Sequence, residues 1–221
     1  MSASSQVSSD KEKHFSDKET TVAPTGSQTV GPFFHLGFVY LERENLVADG
    51  VTGERVAVRG KVLDGDGNLV PDAVLEIWQA DPAGRYASDD SRNNPASPRF
   101  LGFGRVETDD HGEFRFTTVK PGRVPSPDGG LQAPHLVITF FSRGLLKPLL
   151  TRLYFPDEPS NAEDPVLKLV PPERRSTLIA MPSVEASVED ATENLSQSAR
   201  PQMFYWTIVM QGERETVFFD Y

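Results

Sequence analysis

Arg55-Val56-Ala57-Val58-Arg59-Gly60-Lys61-Val62 alternates apolar and polar side chains, and Val74-Leu75-Glu76-Ile77-Trp78 follows it after a Gly65-Asp66-Gly67-Asn68 turn. Alternation at period two marks a strand with one face in a core. It points Val56, Val58 and Val62 inward and Ala57, Arg59 and Lys61 outward. The same signal recurs along the chain. Phe103–Thr108, the turn Asp109-Asp110-His111-Gly112 and Glu113–Val119 predict a hairpin, and Leu136–Ser142, Thr151–Phe155, Phe204–Gln211 and Thr216–Phe219 predict further strands. The best helix candidate is Pro172–Ala180, with Pro in its first turn and Glu173 complementing the dipole. Pro and Gly number 18 and 17 and fall between short strands. The expected fold is all-β, a β-sandwich with Gly/Pro-rich turns and one or two short helices.

A chain of 221 residues with 38% hydrophobic content is long enough to bury a core as one domain. Residues 1–23 are polar and mixed in charge, which predicts a disordered tail before a domain over 24–221. Within that domain, the acidic stretch 183–200 lacks apolar periodicity and reads as an exposed loop. The net charge is −10 and no basic cluster interrupts it, so nucleic acid and anionic membrane surfaces are excluded as expected partners. The absence of cysteine excludes disulfides, zinc-thiolate sites and thiol nucleophiles. No apolar run approaches the ~18 residues of a membrane span. The Ser-, Lys- and Glu-rich start has no apolar stretch behind it and does not read as a secretory signal, so a cytoplasmic location is expected.

Several short motifs reduce to structure. Asp64-x-Asp66-x-Asn68 copies half of a calcium loop, but Leu69 and Leu75 stand where that loop needs Gly and Glu, so a plain turn is expected. Gly102-x-Gly104 opens no helix and reads as a closely packed strand. Trp78, in an alternating strand, reads as core. His14 falls in the tail and His111 in a turn. His35 and His135 flank apolar segments, where a satisfied structural imidazole outweighs a metal ligand.

Seven segments, in order, then resemble the intradiol ring-cleavage dioxygenases. They are Gln28–Phe34 with its Thr-x-Gly-Pro-aromatic pattern, Gly60–Asp64, Leu75–Asp81 (LEIWQAD), Phe100–Asp109 (FLGFGRVETD), Phe116–Gly122 (FTTVKPG), Ala133–His135 and Thr151–Phe155 (TRLYF). The terminal Gly212–Tyr221 (GERETVFFDY) resembles the α-type chains of the family's protocatechuate-cleaving branch. The resemblance covers roughly 24–182 and 203–221 and implies a sandwich that serves a non-haem ferric enzyme.

In iron-bearing members of that family two Tyr and two His hold the ion. Carried over by position, the tyrosines fall at Arg92 and Val124 and the histidines at His135 and Val137. Only His135 is retained. A His-x-His pair on one strand face can grip a metal, whereas His135-x-Val137 cannot. The resemblance therefore implies no catalytic residue and no metal site in this chain. The Fe³⁺ is expected on a partner β chain, with a small aromatic substrate and O₂ meeting there.

This chain's implied share is the substrate pocket, at Thr29, Gly31, Pro32 and Arg143. Protocatechuate carries a ring carboxylate away from its two hydroxyls, and a guanidinium is the natural partner for it. Gly31 allows a close backbone approach and Pro32 stiffens an apolar wall. Without the resemblance, Arg143-Gly144 reads as an ordinary turn and Gly31-Pro32 as a loop start. The reaction implied is ferric, with O₂ adding to the bound catechol and the ring opening between the hydroxyl-bearing carbons. A transthyretin-like or carbohydrate-binding sandwich that only docks a partner is the rival reading, and a self-sufficient dioxygenase is a third.

Overall fold

Strand β1 (Arg55–Leu63) buries Val56, Val58 and Val62 fully, as its alternation requires, and Ala57 is covered as well. The computed structural model describes residues 25–31, 33–37, 39–47, 50–87, 100–183 and 201–220. The 1–23 tail, Pro32, Arg92 and the loop after Ser183 lie outside the described residues.

Around β1 a four-stranded sheet forms with β4 (Glu113–Val119) on one side and β10 (Gln202–Val209) on the other, and β9 (Met181–Pro182) beyond β10. β1 and β10 run parallel, from Val56 against Gln202 to Leu63 against Val209. A second four-stranded sheet orders β3 (Phe103–Glu107), β2 (Val74–Trp78), β7 (His135–Phe141) and β8 (Leu149–Tyr154), every pair antiparallel. The two sheets share one core. Val58, Phe116, Phe204 and Ile208 from the first face Leu75, Ile77, Leu136, Ile138 and Phe140 from the second. Gly104 lets the chain pass close by, since a Cβ there would sit 2.5 Å from Leu46 Cδ1. A two-stranded ribbon of β5 (Val124–Pro125) and β6 (Leu131–Gln132) and a short helix α1 (Pro165–Leu169) sit beside the β7–β8 edge. No helix among the described residues is long and apolar enough to cross a membrane.

The all-β sandwich is therefore as expected, but four local expectations are corrected. β3 and β4 are joined by a tight turn, with Gly112 N donating to Asp109 O at 2.8 Å, yet they enter different sheets. Gly112 O takes the Val62 amide at 2.9 Å, which draws β4 onto β1. Alternation says which face of a strand is buried, not which neighbour it takes. Thr216–Phe219 forms a single bridge, Leu150 with Phe219, in place of a strand. Pro172–Leu178 is a 3₁₀ segment. Trp78 lies on the outer face, because Leu75 and Ile77 set the inward phase of β2, and it stacks on Tyr86 at 6.3 Å. The Asp64 turn is plain, as expected: Asp64 Oδ1 accepts the Asp66 and Asn68 amides at 2.9 and 2.8 Å.

Candidate functional site

β7 carries His135 and Val137 near its start, and Arg143 follows just beyond its end. Its inward row is Leu136, Ile138 and Phe140, so His135 and Val137 lie on the outer face. His135 is 4% exposed, donates from Nδ1 to the Ala133 carbonyl at 2.7 Å, and packs its ring 5.5 Å from that of Tyr154. Burial first, and then the Arg152 charge, push its pKa down to about 4, so the ring is neutral at ordinary pH.

The surroundings of His135 hold a cation already. Arg152, opposite Val137 in the β7–β8 register, donates through Nη1 to Gln132 Oε1 at 2.7 Å and to the Tyr154 hydroxyl at 3.3 Å. Val124 is buried against Gln132 on the β5–β6 ribbon and offers no donor atom. Tyr154 donates to Asp164 Oδ1 at 3.2 Å, and burial pushes its phenol above the ordinary range, so it supplies no tyrosinate. One imidazole beside a guanidinium does not fit a ferric ion, which takes anionic oxygen and imidazole ligands together. Among the described residues, none make that site.

Asp164 underlies this whole corner. It is fully buried, accepts the Val166 and Leu167 amides at 2.9 and 2.8 Å as the cap of α1, and accepts the Ala133 amide at 2.6 Å. It thereby ties α1 to the start of β7 and, through Tyr154, to β8.

A pH dependence follows from His135. Its folded pKa lies below the unfolded value of 6.5, so the unfolded chain binds the extra proton between those values. Its stabilising effect is full above pH 6.5 and is lost as pH falls toward about 4. Between pH 7 and pH 5 the expected loss is about 2 kcal/mol. Urea unfolding at several pH values checks this, and a His135→Gln variant with the same pH slope would show that other groups carry it.

At the other end of β7 the chain brings together residues more than a hundred positions apart. Gly144 N donates to Thr29 Oγ1 at 2.7 Å, and the Thr29 hydroxyl donates to Val30 O at 3.3 Å. Gly144 has φ of 88°, a conformation suited to glycine, and it sets the turn that carries Arg143. Arg143 is 57% exposed along its side chain, with Nε 3.5 Å from Asp72 Oδ2. Next to it, Gln28, Val30, Phe34, Phe141 and Leu145 line a cleft of about 140 Å³, with the Phe34 ring 5.7 Å from Phe141. A Cβ at Gly31 would meet nothing within 4 Å, so no contact among the described residues demands glycine there.

Thr29 and Arg143 are thus brought to one place, whereas His135 and Val137 are not part of it. β7 runs from His135 to Phe141, roughly 20 Å at the usual rise, and Arg143 follows two residues beyond its end. Sequence reading missed Arg152, Asp164 and Asp72. The available signal was the phase of TRLYF: Thr151 and Leu153 point inward, so Arg152 must share the outer face with His135.

The sequence profile of the family described as Dioxygenase matches residues 31–212. The chain is 43% identical over 213 residues to the protocatechuate 3,4-dioxygenase alpha chain of Burkholderia cepacia, covering 91% of this chain and 99% of that one. It is 36% identical over 168 residues to the beta chain of the same name from that organism, covering 74% of this chain and 69% of that one. Among solved structures, hydroxyquinol 1,2-dioxygenase from Pseudomonas putida DLL-E4 superimposes with a TM-score of 0.58 at 23% identity, over 76% of this chain and 60% of that one. That last likeness is one of fold.

Proposed function

This chain belongs to the intradiol ring-cleavage dioxygenase family, and from that premise we propose that it is the iron-free α-type subunit of a protocatechuate 3,4-dioxygenase. In this role it packs against an iron-bearing β chain and completes that chain's pocket. One observation carries the reading. Thr29 accepts the amide of Gly144, next to Arg143, beyond the end of β7 remote from His135 and Val137, which supports a role for both at an iron held by another chain.

The overall reaction joins protocatechuate and O₂ to give 3-carboxy-cis,cis-muconate, with both oxygen atoms kept in the two new carboxylates. The ferric ion of the β chain supplies the template on which the catechol is activated. The residues of this chain bind and orient. The Arg143 guanidinium pairs with the ring carboxylate, Thr29 pins the turn that presents it, and Gly31 and Pro32 wall the ring. Binding energy placed on the carboxylate, away from the reacting carbons, holds the ring in register for attack.

Iron content tests the reading. The purified lone chain is expected to be colourless and to bind no stoichiometric iron, because Val124 and Val137 bring no donor. A burgundy lone chain with one iron per polypeptide would overturn it. Activity should require co-expression with an iron-bearing β chain. A docking module unrelated to catalysis would show no such dependence.

The surface at residues 30–39 gives a second test. Phe33 is 75% exposed and Leu36 is also exposed, and Tyr40 just beyond the segment is exposed as well. Large apolar side chains concentrated on one short segment mark a contact surface. The lone chain is expected to self-associate, and mixing with the β chain should convert it to a defined hetero-oligomer. A monodisperse monomer unchanged by the β chain would count against this contact.

A further inference from the structure

Asp72 is built into its turn from both sides. Thr108 Oγ1 accepts the Ala73 amide at 2.9 Å and donates to Val70 O at 2.9 Å, so the backbone around Asp72 is held in place. Its φ is 59°, the single non-glycine positive φ among the described residues. Asparagine or glycine would satisfy that conformation without a charge. The carboxylate is nonetheless mostly buried, at 17% exposure, and Oδ1 has no hydrogen-bond partner among the described residues. Oδ2 faces Arg143 Nε at 3.5 Å. A half-satisfied buried carboxylate weakens a fold unless it does something else.

We propose that Asp72 is a positioning residue for the recognition of the substrate carboxylate. It holds Arg143 at Nε and so turns the Nη1–Nη2 edge, which makes no hydrogen bond among the described residues, toward the incoming anion. This rests on the assignment of Arg143 given above. The physical gain is preorganisation. An exposed arginine gives up rotamer freedom when it binds a ligand, and an anchor at one side removes part of that cost before binding. Gly144 and Thr29 fix the backbone of the arginine, and Asp72 fixes its side chain. The two carboxylates would face each other across a guanidinium, roughly 7 Å apart at a half-exposed site, where their repulsion is weaker than either contact with the cation between them.

The test uses the assembled enzyme of this chain with its β chain. Asp72→Asn keeps the left-handed turn and the side-chain shape but removes the charge. The expected result is a three- to tenfold rise in KM for protocatechuate, kcat within twofold, and less than twofold change in KM for catechol. Asp72→Gly, which adopts the turn conformation without strain, should give the same pattern, and it carries the test if the Asn variant fails to assemble. An unchanged or lowered KM for protocatechuate, in an enzyme where Arg143→Ala does raise it, overturns the positioning role and leaves Arg143 standing. Equal losses with both substrates overturn it too, as a folding effect. If Arg143→Ala itself does not distinguish the substrates, the assignment of Arg143 fails first and takes this inference with it.

Discussion

Arg143→Ala in the assembled enzyme is expected to lower kcat/KM for protocatechuate by about ten- to a hundredfold, and to affect catechol far less. Catechol lacks the carboxylate, so it has no contact with the guanidinium to lose. Removing one charge-assisted contact costs about 1.5–3 kcal/mol, which sets the range. The side chain is 57% exposed in this chain and shares its Nε with Asp72, which puts the expected effect nearer tenfold. Iron colour should be retained, because no ligand position is touched. Steady-state kinetics on both substrates decide the matter. Equal losses would mean that Arg143 supports only the fold or the contact between chains, and its place in the pocket would be withdrawn.

Asp164→Ala should cost the fold about 3–5 kcal/mol. The aspartate is fully buried and accepts four hydrogen bonds, from the amides of Ala133, Val166 and Leu167 and from the Tyr154 hydroxyl. The loss of an N-cap alone is worth about 1 kcal/mol. The larger part comes from the Ala133 amide and the Tyr154 hydroxyl, each left buried without an acceptor at about 1–3 kcal/mol. Asp164→Asn should recover part of the cap while setting its amide group against the Ala133 N–H, so it should fall between wild type and Ala. Urea unfolding would measure all three. A loss below 1 kcal/mol for the Ala variant would mean that water replaces these bonds and that α1 is not tied to β7 in this way.

The legible parts of the chain are those governed by near neighbours. β2 and β4 lie at the residues read from alternation, Val74–Trp78 and Glu113–Val119, because each pattern reports its own strand's faces. The Asp64 turn was legible for the same reason, since donors and acceptor lie within four positions. That Val124 and Val137 cannot hold a metal needs only their side chains. The misjudged parts depend on partners far away in sequence. The turn at 109–112 suggested that β3 and β4 pair, but β1 competes for β4 and wins, placing them in opposite sheets.

The site divides along the same line. Local alternation by itself determined the strands of this sandwich and that Arg143 follows the β7 strand, whereas it was the resemblance to the intradiol dioxygenases that implied lost ligand positions at Val124 and Val137. Tertiary structure alone decided that Thr29 caps Gly144, that Arg152 stands beside His135, and that Asp72 reaches Arg143. β1 and β10 likewise pair in parallel across the whole length between them. The physical reason is that every strand offers the same backbone donors and acceptors along its edges, so sequence does not label which edges meet. Contacts between distant residues are settled only when both sheets close over one core and the outer-face side chains take the neighbours that packing leaves them.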